Sequence, residues 1–161
     1  MVKKLLSGSN IAACLTAILS LVMLILYGVN VSAEGFYFGM SVDGFVVLSI
    51  FALIFSLAII GVSFAPLKGV VAKVVNVVVM VLKVLIPVFL FIVVIGFVHS
   101  RVAGFGYIYG SNVDVIKEVQ TPANLASATV AITTIVFGVL ASITGIVGAF
   151  FLPKEEVEAA A

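Results

Sequence analysis

The stretch LASATVAITTIVFGVLASITGIVGAFFL, residues 125–152, decides how this chain folds. It carries no charge over its length, and about 20 apolar residues in a helix already cross the ~30 Å hydrocarbon core of a bilayer. Within it Ser127, Ala131, Thr134, Gly138, Ala141, Gly145 and Gly148 recur at alternating steps of four and three. That spacing keeps small residues on one stripe of a helix. Lipid gives no hydrophobic reward for pairing two apolar helices, so a small-residue stripe acts by letting backbones approach and dispersion contacts accumulate. The segment reads as a membrane span with a close-packing face for another helix.

The rest of the chain has the same character. Of 161 residues, 64% are apolar and only 9% charged, with a mean hydropathy of +1.43. Soluble domains are about 45–50% apolar and about 25% charged. The expectation is an integral membrane protein with no soluble domain. A net charge of +1 makes nucleic acid an unsuitable partner. The single cysteine, Cys14, cannot form an intrachain disulfide and reads as a buried small apolar residue of the first span.

Working back to the N-terminus, Lys3 and Lys4 precede an apolar run over 11–27. Val31-Ser32-Ala33 resembles a signal cleavage site, but the run exceeds the ~7–15 residues of a signal core, so it is read as a retained first span. Ser9, Ala13, Thr16 and Ser20 give it a small face of its own. Asn30-Val31-Ser32 matches the glycosylation sequon; it lies hard against the membrane and is given no weight. The second span, 45–65, is uncharged, has Ser49, Ala52, Ser56 and Ser63 as small polar positions, and is stopped by Pro66.

The third apolar segment, 69–98, is too long. About 30 residues at ~1.5 Å each make ~45 Å of helix, so its first part projects as a cytoplasmic extension. Lys73, Asn76 and Lys83 fall on one side of it, and Pro87 predicts a local kink. Lys83, an ionisable group inside a span, is a functional candidate by default. The plainer reading extends its methylenes and sets its ammonium among headgroups. Lys73, Asn76 and Lys83 are therefore candidates for contact with anionic lipid headgroups or for lining a pore.

Two connections face the other side, 29–44 and 99–124. They hold the aromatic residues Phe36, Tyr37, Phe38, Phe105, Tyr107 and Tyr109, with Arg101, as candidate outer-loop contacts. Residues 113–119 fit a short amphipathic helix or a strand equally, and Thr121-Pro122 is a helix start. Lys3, Lys4, Lys68, Lys73 and Lys154 fall on one side of the membrane, Arg101 and Lys117 on the other. By the positive-inside rule both termini are cytoplasmic, in a plasma or cytoplasmic membrane. The fold expected is all-α: one membrane domain over 1–161, an antiparallel four-transmembrane-helix bundle with spans at about 9–28, 45–65, 69–98 and 125–152.

No catalytic constellation emerges. His99 is the only histidine, and Cys14 belongs near the opposite membrane face, so no His–Cys metal pair forms. The glycine runs lack the lysine and Ser/Thr of a phosphate loop. No cofactor is expected. The outline of four spans with two outer loops resembles tetraspan proteins such as claudins, tetraspanins and large-pore channel subunits. The resemblance is of topology; those families rely on outer-loop cysteines that this chain lacks, so it carries over no residue role. The expected function is non-enzymatic: assembly, as a homo-oligomeric structural or scaffold protein or a small accessory subunit of a membrane complex. The competing class is an oligomeric channel or transporter for small solutes, with anions favoured by the lysines.

Overall fold

The computed structural model describes residues 7–151. Lys3, Lys4, Leu152, Lys154, the tail glutamates and the closing alanines lie outside the described residues. All regular structure among the described residues is helical, in five helices: α1 (Gly8–Ser32), α2 (Phe45–Phe64), α3 (Gly69–Gly110), α4 (Val113–Val119) and α5 (Pro122–Ala149). Four of them, α1, α2, α3 and α5, are long and apolar enough to cross a membrane.

Caps set the starts of three helices. The side chains of Ser7, Asn112 and Thr121 accept from the backbone N–H groups of Asn10, Val115 and Asn124, each satisfying one donor that helix geometry leaves over. Pro122 occupies the first position of α5, where its missing N–H costs nothing. α2 starts after Gly44, whose φ of 74° is left-handed, a conformation glycine enters freely. The segment 113–119 is a helix, which decides between the two forms its sequence allowed.

The four long helices form a bundle. The first turn of α1 meets the last turn of α2, where Asn10 Nδ2 donates to Ser63 Oγ at 2.8 Å. At the other end of that pair Tyr27 stacks on Phe45 with ring centroids 3.8 Å apart. The first residues of α1 also meet the chain after α5: a methyl group added at Gly8 would collide with the Phe151 ring, and one at Gly148 would touch Ala12. The bundle thus has a terminal end, marked by Asn10, Ser63 and Phe151, and a loop end, marked by Tyr27, Phe45 and Phe97.

Three expectations need correction. The third segment does not end at residue 98: α3 runs 42 residues to Gly110, and with α4 and the start of α5 most of the expected loop 99–124 is helix. The helix continues through Gly104, Gly106 and Gly110, and at Gly104 the missing Cβ makes room for the rings of Phe36 and Tyr37, which would otherwise lie 2.6–2.7 Å from it. Second, Cys14 is exposed. It sits with Ile11, Leu15 and Ile18 on the outward face of α1, opposite the buried Ala13, Thr16, Ala17 and Ser20. Third, Lys83 does not reach outward; it is buried, 7% exposed. α3 runs unbroken through Pro87, whose ring is buried near Gly145.

Candidate functional site

The small-residue stripe of α5 is buried along its whole length: Ser127, Ala131, Thr134, Gly138, Ala141, Gly145 and Gly148. Its partners are this chain's own helices. A Cβ at Gly138 would lie 2.5 Å from Val94 of α3 and 2.9 Å from Met23 of α1, and one at Gly145 would meet Ile86 and Pro87 at 3.4–3.5 Å. The stripe is consumed inside the protomer and leaves no small-residue groove for a second protein.

Polar groups collect at the two ends of the bundle. At the loop end the centre is Arg101, 1% exposed. Its Nε donates to Asn30 Oδ1 at 3.1 Å and its Nη2 to the Met40 carbonyl at 2.6 Å. The guanidinium carbon lies 4.7 Å from the centre of the Tyr37 ring and 4.8 Å from that of Phe97, cation–π contacts that gain strength when shielded from water. Asn30 is equally buried, and its Nδ2 donates to the Ser127 carbonyl at 2.8 Å. The Tyr37 hydroxyl donates to the Arg101 carbonyl at 2.9 Å, and the Tyr27 hydroxyl accepts from Val42 N–H at 2.8 Å. One cluster ties α1, α3, α5 and the 33–44 loop together.

The loop itself presses on α5. Gly35 has φ 142°, and a Cβ there would sit 2.6 Å from that of Ser127, so the position admits only glycine. Burial pushes the Tyr37 hydroxyl up from 10 to about 12, against the smaller opposing effect of the Arg101 charge. A phenol held neutral is what the donation to the Arg101 carbonyl requires.

At the terminal end Lys83 Nζ donates to the Phe151 carbonyl just past α5, a favourable place for a cation because helix carbonyls end there unpaired. Thr16 Oγ1 lies 3.0 Å from Thr144 Oγ1. A cavity of about 10 Å³ beside Lys83 is lined by Ser9, Thr16, Ser56, Gly145 and Gly148 among others, room for about one water. Between the two ends, Ser20 and Ser49 have buried hydroxyls without a hydrogen-bond partner. Neither buried cation has a carboxylate partner among the described residues; the described acids Glu34, Asp43, Asp114 and Glu118 are all exposed.

The remaining sequence candidates scatter. Lys73 is exposed and Asn76 half-buried while Lys83 turns inward, so the three do not form a common lining. Phe36 and Phe105 are half-buried, packing edge-on to Tyr37 at 5.3 and 5.8 Å; Phe38, Tyr107 and Tyr109 are exposed. His99 is exposed on α3. The described residues contain no group of three or more His, Cys, Asp or Glu placed to hold a metal. Sequence reasoning missed Asn30 and Tyr27; the one available signal was a polar amide and a phenol inside an apolar run, positions that require partners when buried.

Comparison with protein-family models, with curated proteins and with solved structures finds no match to this chain.

Proposed function

We propose that this chain is a non-enzymatic, multi-pass membrane protein that works by assembly, as a homo-oligomeric structural protein or a small accessory subunit. Its four spans run up and down with both termini cytoplasmic, in a plasma or cytoplasmic membrane. The observation that carries the reading is on α3. Its outward apolar face is exposed from Val70 to Val102, which at ~1.5 Å per residue is about 48 Å, where lipid covers ~30 Å. Among the described residues, the cavity beside Lys83 has room for about one water, and Lys83 and Arg101 both donate to this chain's own oxygens. The surfaces that suit another molecule are the long outward face of α3 and the exposed aromatic residues Phe38, Tyr107 and Tyr109. Lys68 and Lys73, both exposed at the other end of α3, suit anionic headgroups there.

The competing reading is an oligomeric conduit with Lys73, Asn76 and Lys83 along its wall. Lys83 facing its own protomer counts against it. The mass of the intact complex extracted from its native membrane tests the proposal: a defined assembly of more than one chain is expected. Isolated protomers that conduct small ions in liposomes, with flux lost in folded Lys83→Leu, would replace assembly by transport.

A further inference from the structure

We infer that the cavity beside Lys83 is a binding site for one water molecule, which accepts from the Lys83 ammonium and donates to the hydroxyls of Thr16 and Ser56. The site lies where the four long helices meet. Ser9 and Thr16 of α1, Ser56 of α2, Lys83 of α3, and Gly145 and Gly148 of α5 all line it. Asn10 meets Ser63 and Tyr27 meets Phe45, and counting along both helices between those two contacts brings Thr16 level with Ser56. The two hydroxyls and the ammonium thus face one small space from three helices.

Lys83 needs a second acceptor. A lysine ammonium carries three hydrogens and accepts none. Among the described residues Lys83 gives one of them to the Phe151 carbonyl and has no other hydrogen-bond or carboxylate partner. The residue is buried, and a buried donor left unmet costs more than a hydrogen bond gains. The cavity is the space next to Lys83 from which that acceptor can come.

The hydroxyls decide what the acceptor is. Thr16 has one hydrogen and places it on the Ala12 carbonyl at 2.8 Å or on Thr144 Oγ1 at 3.0 Å, and Ser56 places its own on the Ala52 carbonyl at 2.8 Å. Both therefore turn lone pairs, not hydrogens, to any further partner. A halide or an oxyanion brings only acceptor atoms and would oppose those lone pairs; a metal cation would be repelled by Lys83. Water both accepts and donates. One bond from Lys83 and two to Thr16 and Ser56 make three, the usual number for a buried water, and the cavity of about 10 Å³ is about the size that holds one. No direct hydrogen bond joins Lys83 to either hydroxyl among the described residues, so the water is the polar link from α3 to α1 and α2.

Magnetisation transfer from water to the Thr16 methyl group, measured by NMR on the full chain in lipid nanodiscs, tests this. A long-lived water signal is expected at Thr16 and should disappear in Lys83→Met with helical content retained; its absence from the wild type, or its persistence in folded Lys83→Met, overturns the proposal. A double-mutant cycle on the unfolding midpoint gives a second reading. Lys83→Met and Thr16→Val remove two partners of one water, so together they should lower the midpoint by less than the sum of their separate shifts. Ser49→Ala, which deletes a buried hydroxyl without a partner, should add to Lys83→Met without coupling. Additive shifts for Lys83 and Thr16 overturn the bridge. If Lys83→Met does not fold, the same cycle is run with Thr16→Val and Ser56→Ala, whose shifts should likewise fall short of their sum. Replacing chloride by gluconate at fixed ionic strength should leave the midpoint unchanged; a midpoint that rises with chloride in the wild type and not in Thr16→Val assigns the cavity to an anion and overturns the water site.

Discussion

Arg101 of α3 donates its Nε hydrogen to Asn30 Oδ1 of α1 at 3.1 Å, and each of the two residues is 1% exposed. Asn30 in turn donates to the Ser127 carbonyl of α5, so one buried amide couples three helices through a guanidinium. Arg101→Ala leaves Asn30 Oδ1 and the Met40 carbonyl without their donors, at roughly 1–3 kcal/mol for each buried group. Arg101→Lys keeps the charge but loses the planar fork and its stacking on Tyr37 and Phe97, and should recover only part of the loss. Thermal unfolding in detergent, followed by circular dichroism, checks the order wild type, then Lys, then Ala.

The same burial bears on the sequon Asn30-Val31-Ser32. A glycan needs the amide nitrogen, which lies against the Ser127 carbonyl inside the bundle. Expressed in a glycosylating host, the protein should keep its mass after glycosidase treatment, and Asn30→Gln should destabilise it without removing a glycan. A glycosidase-sensitive mass would contradict the buried position.

The glycines of α5 differ in what they permit. A methyl group at Gly138 meets Val94 at 2.5 Å and Met23 at 2.9 Å, whereas one at Gly145 finds ordinary contact distances. Gly138→Ala should therefore cost about 1–3 kcal/mol by overpacking. Gly145→Ala should cost little, and Gly61→Ala on the outward face of α2, with nothing within 4 Å, should be neutral or stabilising by up to about 1 kcal/mol. Unfolding midpoints in one detergent rank the three.

Tyr37 gives the fold a dependence on alkaline pH. Its hydroxyl is pushed up to about 12 by burial, so between pH 10 and 12 the unfolded chain releases this proton and the folded chain keeps it. The unfolded state then binds fewer protons, and stability falls as pH rises through that window. Phenolate absorbance should show one component titrating near 12 that is missing in Tyr37→Phe, whose stability should fall less over the same interval.

The spans were legible because apolar length against bilayer thickness is a local property. The segments read at 9–28, 45–65 and 125–152 correspond to α1, α2 and α5, and the steps of four and three marked the face of α5 that the structure buries. What the sequence concealed depends on distant neighbours. Lys83 looks like a snorkelling residue until the Phe151 carbonyl, 68 positions away, is placed beside it. Gly104 falls in a stretch read as an outer loop, and only the Phe36 and Tyr37 rings, which occupy the space of its absent side chain, show why glycine stands there. The stripe on α5 announced a close partner but could not say that α1 and α3 of the same chain already fill that place. Arg101 read as a loop cation because the glycines after it hid the continuation of α3.

The central claim is that the outward face of α3 is longer than lipid can cover. It is tested most directly by spin labels placed one at a time along that face from Val70 to Val102, in membranes, with collisional accessibility to oxygen and to a water-soluble relaxant measured at each. Labels from about Val84 to Val98 should be accessible to oxygen as lipid-facing sites, and labels at Val70, Val74, Val77 and Val81 should be shielded from both reagents. Continuous oxygen accessibility from Val70 to Val102 would show that lipid covers the entire helix, and the case for a partner there would be lost.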